Sequence, residues 1–325
     1  MRWFRRAWVL VPLAAVVLLA GSIYLPYYSI GPGPARPVGP LIRFDGEPRY
    51  ESEGRFVLTS IHYEQLTPIG MLQAWLDPDR SVVGRDFLFR PGESAEEEER
   101  RSVSEMDQSK IAAASVVLEE LTEYPEDHGP GVLIEGVVEG CAAAGELFPG
   151  DLVRAIDGQQ VLDVEDARRA IRASPSGRRL TFDVTVDGRP ETVSLLREPC
   201  GGSERPLVGV SMIESFPIEI RISSGGIGGP SAGLAWALGL YDLLTPGDLA
   251  AGRTIAVTGQ LAVDGSVLPI GASDEKVVAA SDAGATVLFL PRDNLAEARS
   301  VGDRGVELVP VATFEDALAW LQGNA

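Results

Sequence analysis

The sequence predicts an α+β protein of two domains behind an N-terminal apolar segment. An apolar run follows three arginines at the N-terminus, and short strand patterns separated by turn signals fill the middle of the chain. Further along, a glycine turn opens an apolar helix, and a strand pattern then leads into a small-residue helix. With 325 residues, 45% of them hydrophobic, the chain can fill about two cores. The predicted segments are 1–30, 31–44, 45–125, 131–200 and 205–325.

The first segment predicts a membrane anchor. Three arginines among the first six residues precede an apolar span from Ala7 to about Ile30, and roughly 20 apolar residues cross a bilayer. The arginines favour a cytoplasmic N-terminus, so a single pass through the cell membrane would leave the following domains outside the cytoplasm. A cleaved signal peptide is the alternative, but the apolar run continues past the small residues at 20–22. We therefore expect membrane lipid as a partner.

The next two segments connect this span to the middle of the chain. Residues 31–44 are rich in proline and glycine, which is typical of a linker. Within 45–125, the runs GRFVLTSIHY and MLQAWL are typical of strands, and MDQSKIAAASVVLEELTEY is typical of a helix with one apolar face. The charged run from Glu96 to Arg101 is expected to be a solvated loop.

Residues 131–199 predict a small β-rich domain. The patterns indicate strands over 132–138 and 152–156, a helix over 164–172, and a hairpin of 180–186 with 192–196. The sequence, above all FPGDLVRAIDGQQV, resembles a bacterial PDZ domain. The resemblance implies that a polypeptide adds as a strand, with its C-terminal carboxylate held near Gly131, Val132 and Leu133. A β-domain that only spaces the neighbouring domain is the alternative.

Two cysteines, Cys141 and Cys200, lie in or beside this domain. An oxidising compartment would permit a disulfide between them, but two unpaired buried thiols fit the sequence as well. Two cysteines and two distant histidines, His62 and His128, indicate no metal site.

The run GGIGGPSAGLAWALGL presents Ser231 as a candidate nucleophile at the start of an apolar helix. Pro230 has no N–H to lose at a helix head, and glycines allow a substrate to approach the backbone closely. Free N–H groups around Gly229, Pro230 and Ser231 could bind a developing oxyanion. An ordinary helix cap is the alternative, so the serine needs a base.

Neither histidine lies in a catalytic neighbourhood, so a lysine is the candidate base. Lys276 lies in GASDEKVVAA, where the following Val-Val-Ala-Ala residues predict burial. The pKa of its amine must fall by about 3 from roughly 10.4, which corresponds to about 4 kcal/mol and is within the reach of burial. Asp274 and Glu275 precede it but project in other directions on a helix. An ordinary surface lysine is the alternative.

PSAGL around Ser231, together with TGQLAVDGSVLPIGASDEK ending at Lys276, resembles the proteolytic domain of Lon proteases over about 205–325. The resemblance implies a Ser231/Lys276 dyad, with Thr258 holding the lysine in place. It also implies that strands and a helix in 45–125 belong to the same domain, so that the PDZ-like segment is an insertion in a discontinuous protease. Lon-type domains commonly form rings, which makes a homo-oligomer a possible assembly.

This chain departs from the usual Lon motifs at several positions. Gly228 stands where Lon enzymes carry the aspartate of DGPSAG, Glu219 and Arg221 stand on a strand that is often histidine-rich, and GASDEK replaces GGLKEK. The dyad residues are kept. An inactive, membrane-anchored PDZ scaffold is therefore a rival reading.

Composition and missing motifs exclude other classes. No G-x-x-x-x-G-K-[ST] motif occurs, so we expect no ATPase, no cofactor and polypeptide substrates that are already unfolded. The net charge of −19 excludes nucleic acid as a partner. A tail-specific Ser/Lys peptidase is an enzymatic alternative, but the PSAGL motif favours the Lon type. A trypsin-like protease is disfavoured because this chain has no trypsin-like serine motif and no suitable histidine. The sequence thus predicts an ATP-independent serine endopeptidase.

Overall fold

A computed structural model of the chain describes residues 21–186 and 188–324. Its helices are α1 (Pro68–Leu76), α2 (Arg85–Leu88), α3 (Ala95–Leu121), α4 (Val164–Ala173), α5 (Gly233–Leu244), α6 (Ser273–Asp282), α7 (Leu295–Ala298) and α8 (Phe314–Gly323). Its strands are β1 (Tyr27–Pro32), β2 (Arg36–Pro37), β3 (Ile42–Asp45), β4 (Arg55–Leu58), β5 (Ile61–Gln65), β6 (Ser81–Gly84), β7 (Gly129–Val137), β8 (Leu152–Ile156), β9 (Gln159–Gln160), β10 (Arg179–Val186), β11 (Arg189–Leu196), β12 (Glu198–Pro199), β13 (Pro206–Leu207), β14 (Val210–Ser215), β15 (Glu219–Ile222), β16 (Thr254–Val257), β17 (Gln260–Leu261), β18 (Val267–Leu268), β19 (Val287–Pro291) and β20 (Glu307–Val311).

A five-stranded sheet in the order β2-β4-β16-β19-β20 forms the centre of the larger domain. Strands β4, β16, β19 and β20 run parallel, and both faces of this sheet are covered. Alternate residues face α5 on one side, where Trp236 is fully buried, and α6 on the other side, where Val277 packs with Ala256. The parallel arrangement brings the carboxyl ends of β4, β16 and β19 to one edge.

Segments from both sides of the PDZ-like region build this core. Strand β4 pairs in parallel with β16, and Met106 and Val117 of α3 are buried in the same cluster as Leu234 and Trp236 of α5. The region from 45 to 125 and the region after 205 thus share one hydrophobic core.

Residues 31–44, predicted to be a linker, are instead part of the fold. Strand β2 pairs with β4, β3 pairs with β15, and Val38 and Ile42 are each only 1% exposed within the core. The linker prediction is wrong because apolar residues between the prolines find buried positions, while proline occupies an edge strand where its missing N–H is tolerated.

Strand β1 forms the centre of a separate antiparallel sheet in the order β5-β1-β6. The predicted apolar span to Ile30 is therefore too long, since residues 27–30 belong to this strand and Ser29 and Ile30 are buried in protein. The rest of the predicted anchor, up to residue 20, lies outside the described residues. Among residues 21–186 and 188–324, no helix has the length and apolarity that crossing a bilayer requires.

Two further predictions in 45–125 are wrong, because both segments carry helix-start signals. The run MLQAWL lies in helix α1, because Thr67 accepts a hydrogen bond from the Gly70 N–H and Pro68 occupies the first helical position. The charged run after Ser94 forms the first turns of α3, where Ser94 and Glu97 make a reciprocal capping box. Three acidic residues in that first turn also favour the helix dipole.

The PDZ-like segment folds as an antiparallel sheet in the order β11-β10-β8-β7-β14, with α4 packed against it. The predicted strands, helix and hairpin of 131–199 are confirmed to within a few residues at their ends. Cys141 and Cys200 form a disulfide with a Cα–Cα distance of 5.1 Å. This bond joins the loop after β7 to the end of β12.

Candidate active site

Ser231 lies in a single 3-10 turn, Pro230–Ala232, that leads directly into α5. Gly229 precedes this turn with φ 83°, a conformation that glycine adopts without steric penalty. Helix α5 is buried along nearly its whole length, so the serine is held at the end of a rigid element while its own side chain stays partly exposed. This is the presentation expected of a nucleophile.

The Ser231 carbonyl is fixed from the neighbouring strand. It accepts hydrogen bonds from the Gly259 N–H at 2.8 Å and from the Thr258 hydroxyl at 3.3 Å. The structure therefore brings Thr258 to Ser231, and the hydrogen bond of its hydroxyl goes to the serine backbone rather than to the lysine that it was predicted to hold. Thr258 is only 1% exposed and follows the carboxyl end of β16.

A close approach at Gly233 completes this arrangement. A Cβ at that position would lie 2.8 Å from both the backbone nitrogen and the Cβ of Leu261 in β17. Only glycine therefore allows β17 to pack against the first turn of α5.

Lys276 lies on α6, on the other face of the sheet, and is only 3% exposed. Within the described part of the chain, no carboxylate comes within 4.0 Å of its amine to form an ion pair. Burial lowers the pKa of the Lys276 amine from 10.5 to about 7, although Glu297 and Glu275 oppose this by raising it. Half of this lysine is then neutral near neutral pH, as a general base requires.

Two carboxylates near the lysine were not predicted to act on it. Glu275, which was expected to point elsewhere, is 3% exposed, and burial raises the pKa of its carboxyl from 4.5 to about 7. Glu297 accepts hydrogen bonds from the Ser273 hydroxyl at 2.6 Å and from the Asn294 side-chain amide at 3.1 Å. These bonds hold Glu297 beside α6.

Asn294 links this group to the loop before α6. Its side chain accepts a hydrogen bond from the Ile270 N–H at 2.9 Å and donates to the Ile270 carbonyl at 2.8 Å. The Asn294–Glu297 spacing at the start of α7 is the only local sequence signal for this network. Its other partners, in α6 and the loop before it, lie about 20 residues earlier in the sequence.

The predicted oxyanion site is only partly available. Gly229 donates its N–H to the carbonyl oxygen of Ser102 on α3 at 2.8 Å, and Pro230 has no N–H. The same helix explains Gly228, because a Cβ there would lie 2.2 Å from the Ser102 hydroxyl oxygen. An aspartate of the Lon type therefore does not fit at residue 228 beside Ser102.

The peptide site near Gly131, Val132 and Leu133 stays a prediction, but the strand that carries it is already paired at Val132 and Leu133. Strand β7 is paired on both edges, since Val132 lies opposite Glu214 of β14 and Val153 of β8. At Val132 and Leu133, β7 therefore has no free edge to which a peptide strand could add.

Strand β14 is the terminal strand of this sheet in the described residues, and it lies beside α4. The Glu214 carboxylate accepts from the Val164 N–H at 3.1 Å and so ties the start of α4 to β14. Gly209, with φ 88°, and the disulfide lie at the start of this strand. The sequence signal for this strand was the run LVGV at residues 207–210, which the prediction assigned to the protease domain.

Helix α3 contacts both halves of the molecule. Ser102 lies against the Gly228–Gly229 turn, and the Gln108 side chain lies against Gly136 of β7. A cleft of about 1150 Å³ separates the first half of α3 from the loop after β7, and neither Ser231 nor Lys276 lines it. Arg101 crosses its wall and pairs with Glu93 at 2.8 Å.

Two family descriptions match separate parts of the chain. Residues 203–321 match the Lon protease (S16) C-terminal proteolytic domain, and residues 133–186 match a PDZ domain. The Ser231 and Lys276 motifs both lie within the first match.

Relatives with established names are Lon proteases. The chain is 34% identical to Lon protease of Azospirillum brasilense over 168 residues, which cover 50% of this chain and 20% of that protein. It is 36% identical over 113 residues to Lon protease of Phenylobacterium zucineum, covering 33% of this chain and 14% of that protein. The chain is 33% identical to Lon protease of Clostridium beijerinckii over 141 residues, which cover 42% of this chain and 17% of that protein. The chain thus spans a fifth or less of these relatives' lengths.

Solved structures similar to about a quarter of this chain include a PDZ domain. The PDZ domain of an SdrC-like protein from Listeria innocua is 25% identical, with a TM-score of 0.24, covering 25% of this chain and 92% of that chain. A solution structure from Geobacillus thermodenitrificans is 28% identical, with a TM-score of 0.23, covering 25% of this chain and 95% of that chain. On the family matches and the named relatives, this chain contains a segment similar to the Lon proteolytic domain and a PDZ-like segment ahead of it.

Proposed function

We propose that the chain is an endopeptidase in which Ser231 is the nucleophile and Lys276 is the general base. The observation that carries this proposal is the burial of Lys276, without an ion-pair partner among the described residues, in the helix that packs on β16. Thr258, at the carboxyl end of β16, bonds to Ser231. Thr258 follows β16, and Val277, next to Lys276, packs with Ala256 of β16, so both candidate residues are positioned by elements beside this strand.

The reaction is acyl transfer to Ser231. Neutral Lys276 takes the hydroxyl proton as the serine oxygen bonds to the peptide carbonyl carbon, and the carbonyl becomes an oxyanion. The C–N bond then breaks, and the leaving amine takes the proton from Lys276. Water attacks the acyl-enzyme, its proton passes through Lys276 to the serine oxygen, and the acid product leaves. For the Gly229 N–H to bind the oxyanion, it must release the Ser102 carbonyl.

Substrates are proposed to be flexible polypeptides cleaved without ATP. The sequence contains no G-x-x-x-x-G-K-[ST] motif to drive unfolding, so accessible segments are the ones that can reach the serine. Selection is proposed to occur where an extended peptide adds to the outer edge of β14 beside α4, which replaces the site first predicted on β7.

We also propose that the chain is held at the cell membrane by its apolar N-terminal residues, with its domains outside the cytoplasm. The arginine-preceded apolar sequence up to about residue 26, before β1 begins, supports the anchor. The disulfide between Cys141 and Cys200 supports an oxidising compartment.

Cleavage of an unfolded reporter polypeptide tests the dyad. Ser231→Ala, Lys276→Ala and Lys276→Arg should each abolish turnover, and a serine-directed fluorophosphonate should label the unaltered chain at Ser231. Arginine fails as a base because it stays protonated. The chain has one other lysine, Lys110, which pairs with Asp107 at 2.8 Å, so Lys110→Ala is a matched control that should keep activity. Full turnover by Lys276→Ala would refute the proposed base.

A further inference from the structure

An exposed apolar patch lies where the N-terminal apolar sequence joins the described fold. We define this patch as Ile23, Tyr24, Leu72, Trp75 and Leu76, whose exposed fractions run from 54% for Ile23 to 78% for Trp75. Single exposed apolar residues are ordinary on soluble proteins, but a cluster of five large ones is typical of an interaction surface.

Helix α1 supplies three members of the patch and has the composition of an interfacial helix. Its nine residues, PIGMLQAWL, include no charged side chain, and only Ala74 is buried. Leu72, Trp75 and Leu76 are spaced three and four residues apart, so they share one face of the helix. That face has no covering element among the described residues, as the exposure of all three shows.

The patch is fixed to the point where the chain enters the fold. A Cβ at Gly21 would lie 3.6 Å from the Ile69 side chain of α1. Leu25 donates its N–H to the Leu66 carbonyl at 2.8 Å, and Leu66 donates to the Tyr27 carbonyl at 2.9 Å, just before α1 begins. The residues before Gly21, from Ala7 to Ala20, are almost entirely apolar.

We infer that this patch is a membrane-docking surface that inserts its apolar side chains into the bilayer interface next to the anchor. The inference rests on the proposed anchor, because residues 7–20 fix which surface of the fold lies nearest the bilayer. Trp75 and Tyr24 suit this position, since tryptophan and tyrosine concentrate at membrane–water interfaces. The net charge of −19 opposes attraction to anionic lipid, so the surface fits a zwitterionic bilayer through apolar contact.

Docking has a consequence for the active site. Strand β1, which follows the patch directly, also packs against α6, the helix that carries Lys276. A patch held in the interface therefore keeps the peptidase domain against the bilayer instead of on a free tether. The substrates that reach it are then polypeptide segments close to the membrane surface.

Tryptophan quenching by brominated lipid tests this surface in the full chain reconstituted into phosphatidylcholine nanodiscs. The chain has five tryptophans, and comparison with Trp75→Phe and with Trp8→Phe isolates the emission of each residue. We expect lipid bromines to quench Trp75, with no dependence on anionic lipid or on salt. Trp236, fully buried in α5, is the internal control that should stay unquenched.

The outcomes separate docking from anchoring. Quenching of Trp8 without quenching of Trp75 would overturn the docking surface while keeping the anchor, and quenching of Trp75 without Trp8 would keep docking and overturn the anchor. If neither residue is quenched, both are overturned. Protection of Trp75 from aqueous iodide without lipid quenching would instead show that a second copy of the chain covers the patch, which also overturns docking.

As a second measurement, hydrogen exchange of the α1 amides should speed up in Leu72→Ser/Leu76→Ser in nanodiscs. An unchanged exchange rate in that variant would contradict insertion of the helix.

Discussion

Replacing Lys276 by methionine should abolish activity and stabilise the peptidase domain. Burial lowers the pKa of this amine from 10.5 to about 7, so the folded chain resists protonation that the unfolded chain accepts readily. The difference corresponds to about 5 kcal/mol between the two protonation states. Methionine is unbranched and of similar length, so it can occupy the space of the lysine stem without a charge.

The size of this gain should depend on pH with a definite sign. Below about pH 7 both folded and unfolded chains carry protonated lysine, so the native enzyme bears the full destabilisation and the variant gains most. Between about pH 7 and 10.5 the unfolded chain binds more protons, so native stability rises with pH and the advantage of Lys276→Met shrinks toward zero. Because the pKa of Glu275 is raised from 4.5 to about 7, native stability falls as the pH rises from about 4.5 to 7 and stays lower above pH 7; this occurs in both proteins and largely cancels in the comparison.

Denaturant unfolding near pH 6, 8 and 10 measures this effect, with the emission of Trp236 reporting on the peptidase core. Lys110→Met is the matched control, since Lys110 forms an ion pair with Asp107 and should lose at most about 1 kcal/mol at each pH. A gain for Lys276→Met that does not change with pH, or a loss of stability near pH 6, would refute the assignment of a buried amine with a lowered pKa.

Three further predictions concern the surroundings of the dyad. Gly228→Asp should lose activity and about 1–3 kcal/mol of stability by overpacking against Ser102, and adding Ser102→Gly should restore part of both; no rescue would argue against the clash. Glu297→Gln should move the acid limb of the kcat/KM profile to lower pH, because the carboxylate raises the pKa of Lys276; an unmoved limb would contradict this. Cys200→Ser should lower the stability of the PDZ-like domain by about 2–5 kcal/mol, measured by thermal unfolding under reducing and oxidising conditions, which should differ only in the unaltered chain.

The elements that the sequence predicted correctly carry their information locally. The strands, helix and hairpin of the PDZ-like segment follow from alternation and from the turn at Gly188, which adopts φ 77°. Two errors had local signals that were missed, since Thr67-Pro68 and Ser94-x-x-Glu97 are helix-start patterns. The hydrophobic pattern alone did not show whether MLQAWL forms a strand or a helix.

The site was less predictable because its contacts cross the chain. The Ser102 carbonyl reaches the Gly229 amide over more than a hundred residues, and nothing in either local sequence indicates that pairing. Likewise, the free edge of the PDZ-like sheet depends on which strand comes last in the sheet order. Sequence placed the strand β7 correctly but could not show that β14 would cover its edge.

Helix α3 sets a scale for substrate cleavage. Its 27 residues extend over about 40 Å, and the two positions that touch the Ser231 turn and the PDZ-like sheet, Ser102 and Gln108, are about 9 Å apart along its axis. Because one helix joins the two sites, a polypeptide bound by its end at β14 would meet Ser231 at a roughly constant number of residues from that end. The distance of each cleavage site from the bound terminus would then determine where the chain is cut more than the residues on either side of the scissile bond do.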